Sequence, residues 1–230
     1  MSMQKLPEDY DYVLPKLYML HAKEEAKDSD SYLVMKRVID IVGSALGLLV
    51  LLPLFLVVAA MIKLEDPKGK VFFRQYRVGK HEKQFPMYKF RSMVSNAEEL
   101  KEKLLAYNEV SGAMFKIKND PRITRTGRFL RKTSIDELPQ LWNVLLGHMS
   151  LVGPRPPLPE EVAQYTEYDK QRLTVTPGCT GYWQVNARNS VGFDEMVQLD
   201  LTYIHIRSTM LDLKIILKTG LMLLGSKDAY

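Results

Sequence analysis

The longest apolar stretch of the chain runs from residue 41 to residue 62 and contains no charged side chain. A helix rises about 1.5 Å per residue, so the stretch would be about 33 Å long, close to the roughly 30 Å hydrocarbon core of a bilayer. Pro53 lies in its middle and cannot donate a backbone hydrogen bond, so we expect the helix to break there. The pattern therefore predicts a membrane segment interrupted at Pro53.

Basic residues flank this stretch on both sides, and positive charge favours the cytoplasmic side of a membrane. Both ends are therefore drawn to the same side, which predicts a re-entrant helix–break–helix over residues 32–63 with both termini cytoplasmic. A single-pass anchor with a proline kink is the alternative. The flanking residues are Lys36 and Arg37 before the stretch and Lys63, Lys68, Lys70, Arg74 and Arg77 after it.

The rest of the chain has the periodicity of one ordinary domain. Aromatic and β-branched residues on both sides of a polar, Gly-containing turn predict a β-hairpin between residues 70 and 93. We expect an α+β fold, mainly helical with this small antiparallel hairpin. Residues 1–31 read as a polar N-terminal extension and 64–230 as a cytosolic domain. Helices are predicted over 95–107, 122–132, 135–146, 159–172, 193–207 and 209–224, and a short strand over 113–118.

The last predicted helix, 209–224, has many leucines and isoleucines but also Asp212, Lys214 and Lys218, and is too charged to span a membrane. It is either a buried C-terminal helix or an amphipathic helix at the membrane interface. Small residues in the first arm of the membrane segment, such as Gly43 and Gly47, would permit close helix pairing and hence a homodimer.

Composition narrows the class of protein further. The 230 residues carry a formal net charge of +5, which suits an anionic membrane face, a phosphate-rich substrate or nucleic acid. The sequence shows neither a series of aromatic residues for base stacking nor a recognition helix outside the membrane segment, so it does not support the nucleic-acid alternative. The single cysteine excludes an internal disulfide and favours a reducing cytosolic face. The first 30 residues are rich in acids and lack the apolar core of a signal peptide, so we expect the apolar segment to be retained.

Adjacent carboxylates at Asp136 and Glu137 are the best candidates for chemistry. Neighbouring side chains on a helix diverge by about 100°, so the two acids suit different roles: one as a phosphoryl-accepting nucleophile, the other as a ligand of Mg²⁺. The alternative is structural, because Ser134 and Glu137 have the spacing of a helix capping box.

Cations surround this block and could bind phosphate. Arg155 lies between two prolines, which stiffen its backbone, and a guanidinium binds phosphate oxygens in a bidentate manner. Lys89 and Arg91 alternate along a predicted strand and would share a face. Arg122, Arg125, Arg128 and Arg131 recur every three residues; a solvated helix face is the alternative for the first three, and Arg131 is nearest the acids. Arg188 follows in a turn-rich segment.

Common site motifs are missing from the sequence. The four histidines and Cys179 do not have metal-ligand spacing. There is no P-loop, GxGxxG or GxSxG sequence. Nucleotide binding, if it occurs, does not use the common glycine-rich loops.

Six ordered motifs between about residue 32 and residue 224 resemble the bacterial sugar transferases, the monotopic polyprenyl-phosphate phosphoglycosyl transferases. The resemblance implies that a UDP-sugar, with glucose or galactose favoured over an N-acetylhexosamine, donates hexose-1-phosphate to undecaprenyl phosphate and releases UMP. This would be the first membrane step of exopolysaccharide or capsule synthesis, at the cytosolic face of the bacterial inner membrane. The motifs are KRVIDIVGSALGLLVLLP, VFFRQYRVG, YKFRSM, RKTSIDELPQLWNVLLGHMSLVGPRP, PGCTGYWQVNARN and LDLKI.

The resemblance also implies residue roles. Asp136 would be the nucleophile that forms a phosphosugar intermediate, and Glu137 would help to hold Mg²⁺. Arg131, Arg155, Lys89 and Arg188 would bind phosphate or nucleotide. Where members of the family place serine before the breaking proline, this chain has Leu52. A non-enzymatic, membrane-associated adaptor of polysaccharide assembly is the competing hypothesis, but it leaves the acidic pair without a role.

Overall fold

A computed structural model of the protein describes residues 29–104, 117, 120–187 and 192–225. It begins with one long helix, α1, at Asp30–Glu65. By length and composition α1 could cross a membrane. The helix runs through Pro53 as one element. The predicted break into two arms is therefore not confirmed, and the re-entrant topology stays a prediction.

One face of α1 packs against the rest of the protein near both of its ends. Asp40 and Ser44 are buried in the first half, and Val58 and Ile62 in the second. Asp40 and Val58 are 18 residues apart, about five full turns of an ideal helix, so they lie on the same side. Other side chains of the helix, such as Val50, are exposed. The helix thus has one face for the protein and another, apolar face without a protein partner among the described residues.

The predicted β-hairpin is confirmed. Strand β1 (Phe72–Val78) pairs antiparallel with β2 (Gln84–Phe90), with Phe72 opposite Phe90 and Val78 opposite Gln84. Phe90 joins Val58, Ile62 and Leu130 in a core cluster. This cluster ties the hairpin to the second half of α1.

A second, parallel pair of short strands was not anticipated from the sequence. Strand β3 (Ser150–Val152) pairs with β4 (Gly178–Thr180). Glycine is needed where the backbones of the two segments approach each other closely, because a Cβ on Gly178 would lie 2.0 Å from the backbone nitrogen of Gly153. Three residues per strand are too few for hydrophobic alternation to be read from a sequence.

The remaining predicted helices are found: Phe193–Ile206 and Thr209–Gly225 end within one residue of the predicted bounds, and the others are shorter or divided in the described residues. The predicted helix 159–172 is divided into two short α-helices and a 3-10 turn, and a capping box at Thr166 and Asp169 begins the second α-helix. The strand predicted over 113–118 lies almost wholly outside the described residues, as do residues 1–28 of the extension. The helices are α2 (Ala97–Leu104), α3 (Arg125–Lys132), α4 (Gln140–Leu145), α5 (Pro159–Val162), α6 (Glu167–Lys170), α7 (Tyr182–Asn186), α8 (Phe193–Ile206) and α9 (Thr209–Gly225).

Helix α9 has both a buried face and an exposed apolar face. Asp212 and Ile215 are buried, whereas Leu217 and Leu221 are largely exposed. Asp212 accepts hydrogen bonds from Lys36 Nζ at 2.8 Å and from the Tyr203 hydroxyl at 2.7 Å. The helix is therefore docked on the domain and on the start of α1, and its place at a membrane interface stays a prediction.

Candidate active site

The acidic pair lies in a tight turn between two helices. Helix α3 ends at Lys132, Ser134 adopts a left-handed backbone conformation with φ of 56°, and a 3-10 turn spans Ile135–Glu137. Helix α4 then begins at Gln140, so the predicted helix 135–146 is divided. The capping-box alternative is wrong, because the Ser134 side chain makes no capping bond and the Glu137 side chain binds Lys89.

Asp136 is a buried acid with one oxygen atom that lacks a hydrogen-bond partner in the described part of the chain. It is only 6% exposed, and its Oδ1 has no hydrogen-bond partner among the described residues. Burial and then the charge of Glu137 raise the pKa of Asp136, while Lys89 and Arg131 act in the opposite direction. A buried polar atom without a partner is costly and rare in native proteins.

Glu137 is fixed by a neighbouring cation. Lys89 Nζ, on strand β2, donates to Glu137 Oε1 at 2.5 Å. Burial acts to raise the pKa of Glu137, but Lys89, Arg155 and Arg77 together outweigh it and hold the pKa below its ordinary value. Glu137 is thus ionised at neutral pH, and the two acids differ in environment as a division of roles requires.

Besides Lys89, two more of the predicted phosphate ligands act at this site. Arg155 is one-third exposed, and its Nη1 lies 3.5 Å from Glu161 Oε2. Arg131 donates from Nε to Ser92 Oγ at 2.9 Å, and its charge acts on Asp136. Together with Lys89, these residues place three cations around two carboxylates. The excess positive charge suits a ligand with several negative charges, such as a diphosphate.

Among the described residues, the other predicted cations are not seen to contact the acidic pair. Arg91 follows the last residue of β2, and its guanidinium is ion-paired with Asp66 and donates to Ser95 Oγ. Its predicted role at the site beside Lys89 stays a prediction. Arg122, in the arginine series, forms a buried ion pair with Asp120 at 2.6 Å, so a solvated face is wrong for that residue. Arg188 lies outside the described residues.

The structure adds two residues that sequence reasoning missed. Arg77 and Glu161 are buried beside Arg155. In the sequence, Arg77 is one of the positive charges that flank the apolar stretch, and it also lies in the VFFRQYRVG motif. Glu161 follows the Pro-Arg-Pro motif by a few residues, and nothing in a single sequence shows that its side chain returns to that motif. The motif position of Arg77 was the one available signal.

The carboxylates fit a magnesium ion only together with substrate. Among the described residues there is no cluster of three or more His, Cys, Asp or Glu that could hold a metal. Magnesium is often bound by one or two carboxylates plus substrate phosphates and water. Ionised Glu137 and the unpartnered oxygen of Asp136 provide carboxylate oxygens of that kind.

Comparison with known proteins identifies several relatives. The chain is 48% identical over 200 residues to the galactosyl transferase CpsE of Streptococcus agalactiae, covering 85% of this chain and 44% of that protein. It is 44% identical over 209 residues to the undecaprenyl-phosphate galactose phosphotransferase of Salmonella typhimurium, covering 89% of this chain and 43% of that protein. The chain thus spans less than half the length of these two relatives.

A third relative has a length similar to that of this chain. The exopolysaccharide production protein ExoY of Rhizobium meliloti is 38% identical over 199 residues, covering 85% of this chain and 88% of that protein. The family model described as bacterial sugar transferase matches residues 31–226. This match covers the long apolar helix α1, the acidic pair and the C-terminal helices, and the chain therefore belongs to the bacterial sugar transferase family.

Proposed function

We propose that this protein transfers hexose-1-phosphate from a UDP-sugar to undecaprenyl phosphate, as an initiating step of exopolysaccharide or capsule synthesis. The observation that carries the proposal is the buried Asp136 carboxylate, which has an oxygen without a described partner and lies beside Glu137, Lys89 and Arg131. The relatives support the substrate classes, since one is an undecaprenyl-phosphate galactose phosphotransferase. UDP-galactose and UDP-glucose are accordingly the favoured donors.

The reaction would proceed in two displacements at phosphorus. Asp136 attacks the sugar-side phosphorus of the donor, a new bond to its carboxylate oxygen forms, and the bond to UMP breaks, with UMP leaving as the nucleotide. An oxygen of undecaprenyl phosphate then attacks the same phosphorus, and the bond to Asp136 breaks. The product is undecaprenyl-diphosphate-hexose, and the Asp136 carboxylate is restored.

The cations of the site would bind and orient the donor. Arg155 and Arg131 suit its phosphate oxygens, while Lys89 keeps Glu137 ionised and in place. Glu137 and Asp136 would hold Mg²⁺ together with the diphosphate. When bound, the ion supplies positive charge that offsets the negative charge developing on the phosphate oxygens.

The lipid substrate requires the site to lie close to a membrane surface, which α1 would provide in a re-entrant arrangement. Arg37 donates to the carbonyl oxygens of Val144 and Leu145 at 2.8 and 2.9 Å near the start of α1. Glu65, the last residue of α1, accepts from the backbone of Arg125 and Thr126. Both helix ends thus contact one domain, which favours entry and exit by the same membrane face.

Cysteine labelling tests this topology. In a Cys179→Ser background, Ser29→Cys and Lys68→Cys place thiols before and after α1. Both should react with a membrane-impermeant maleimide in inside-out vesicles and neither in intact spheroplasts, because both ends would face the cytosol. Labelling after detergent treatment is the control for thiol access. Labelling of the two positions from opposite sides would instead establish a single-pass anchor.

Nucleotide release tests the activity and the donor. Purified protein in detergent, with undecaprenyl phosphate and Mg²⁺, is expected to release UMP from UDP-galactose or UDP-glucose at least about tenfold faster than from the N-acetylhexosamine donors, since a sugar pocket can reject an added group. Faster release from an N-acetylhexosamine donor would reassign the substrate. No release from any donor would favour the adaptor hypothesis.

A further inference from the structure

The segment that presents Arg155 is held almost entirely through its carbonyl groups. We call residues 154–157, Pro-Arg-Pro-Pro, the Arg155 loop. Its three prolines have no backbone N–H, so the loop can donate few hydrogen bonds of its own. Each of its four carbonyl oxygens nevertheless accepts one from a different residue: Pro154 from Gly178 N at 2.8 Å, Arg155 from Arg172 Nη2 at 3.5 Å, Pro156 from Arg77 Nη1 at 3.1 Å and Pro157 from Val78 N at 2.9 Å.

Among these four donors, Arg77 is the one whose charge also helps to lower the pKa of Glu137 in the acidic pair. It occupies the next-to-last position of β1 and is 6% exposed. Its Nη2 donates to Gln75 Oε1 at 3.0 Å, and its Nε has no partner among the described residues. Burial, followed by the charge of Arg155, lowers the pKa of Arg77 to about 10, so the guanidinium is still charged at neutral pH. Burying such a charge is costly, which makes a purely space-filling role a poor explanation.

Opposing charges set the position of Arg155 around Arg77. The Arg77 guanidinium repels that of Arg155, while Glu161 attracts both. Glu161 is itself fixed, because its Oε2 accepts from the backbone N–H of Leu158 at 2.8 Å. Arg155 thus lies near an anchored carboxylate, which attracts its guanidinium, and near a buried cation, which repels it. Both charges bear on where its side chain points.

We propose that Arg77 is a positioning residue: by holding the Pro156 carbonyl and facing Arg155, it fixes the direction in which Arg155 meets the donor diphosphate. The inference rests on the proposed function, in which Arg155 binds phosphate. Arg77 itself would not touch substrate. Replacing Arg77 should therefore weaken donor binding through Arg155. The effects of replacing Arg77 and Arg155 on donor binding should then not be additive.

A double-mutant cycle tests this dependence. UMP release is measured as a function of UDP-hexose concentration for Arg77→Met, Arg155→Met and the double variant. We expect Arg77→Met to raise KM about tenfold with a smaller change in kcat, consistent with one charged hydrogen bond. The double variant should be no worse than Arg155→Met, because residues that act as a unit are not additive. Arg77→Lys keeps the positive charge but loses the planar guanidinium, so its KM should lie between those of Arg77→Met and the unmodified protein.

Arg74→Met is the matched control on the same strand. Arg74 is exposed, and its guanidinium lies over the Tyr76 ring, so its loss should leave KM unchanged. If thermal denaturation shows that Arg77→Met does not fold, the cycle is repeated with Arg77→Lys. If the effects of the two substitutions on KM were additive in an enzyme that still releases UMP, the positioning role of Arg77 would be wrong, while the proposed function would stand. Absence of UMP release from the unmodified protein would overturn the proposed function, and this inference with it.

Discussion

Replacing Asp136 with asparagine should reduce UMP release by roughly 10⁴-fold or more, since losses of this size follow removal of a nucleophile. Asparagine has nearly the same shape but is a poor nucleophile toward phosphorus. Because Asp136 is buried with an unpartnered Oδ1, the neutral amide should not destabilise the fold, and removal of a buried charge next to Glu137 relieves repulsion. Steady-state UMP release and thermal denaturation of the same preparation measure both effects.

A matched substitution separates this effect from a general loss of acidic charge. Asp194 lies exposed in the first turn of α8, and Asp194→Asn should leave UMP release unchanged. Mass spectrometry of unmodified enzyme incubated with donor but without lipid should detect a hexose-phosphate adduct on Asp136. Near-normal turnover by Asp136→Asn would exclude the covalent mechanism, as would an adduct trapped on a different residue.

Replacing Arg172 with methionine should lower the free energy of unfolding by about 3–5 kcal/mol, the usual cost of breaking a buried ion pair from one side. Arg172 donates to Asp200 Oδ2 from Nε at 2.9 Å and from Nη2 at 2.6 Å, and both side chains are almost fully buried. The variant leaves the Asp200 carboxylate buried without its cation. Chemical denaturation monitored by circular dichroism measures the change.

Two further variants test whether the lower free energy of unfolding of Arg172→Met comes from the unpaired Asp200 charge. Lys170 forms an exposed ion pair with Glu167 at 2.8 Å, and Lys170→Met should not shift the denaturation midpoint measurably, because exposed pairs are screened by water. The double variant Arg172→Met with Asp200→Leu should recover much of the lost stability, since it removes the unpaired charge. Equal destabilisation by Arg172→Met and Lys170→Met would contradict this account of the pair.

Much of the secondary structure could be predicted because its signals are local. The apolar run of α1 and the Gly-containing turn between β1 and β2 each depend on residues adjacent in the chain. The turn at Ser134, with its left-handed backbone, was not foreseen, because a serine there satisfied an apparent capping box equally well. The break expected at Pro53 is not confirmed, because α1 runs through this proline as one element.

The sequence by itself determined the long apolar segment, the acidic pair and, through long ordered motifs, the family. It could not determine which cations meet that pair, because those contacts join residues far apart in the chain. Lys89 reaches Glu137 across 48 positions, while Arg91, two residues later, is held by Asp66 instead. Only tertiary structure decides such choices, since a buried charge settles where the folded chain supplies its counter-charge and hydrogen bonds.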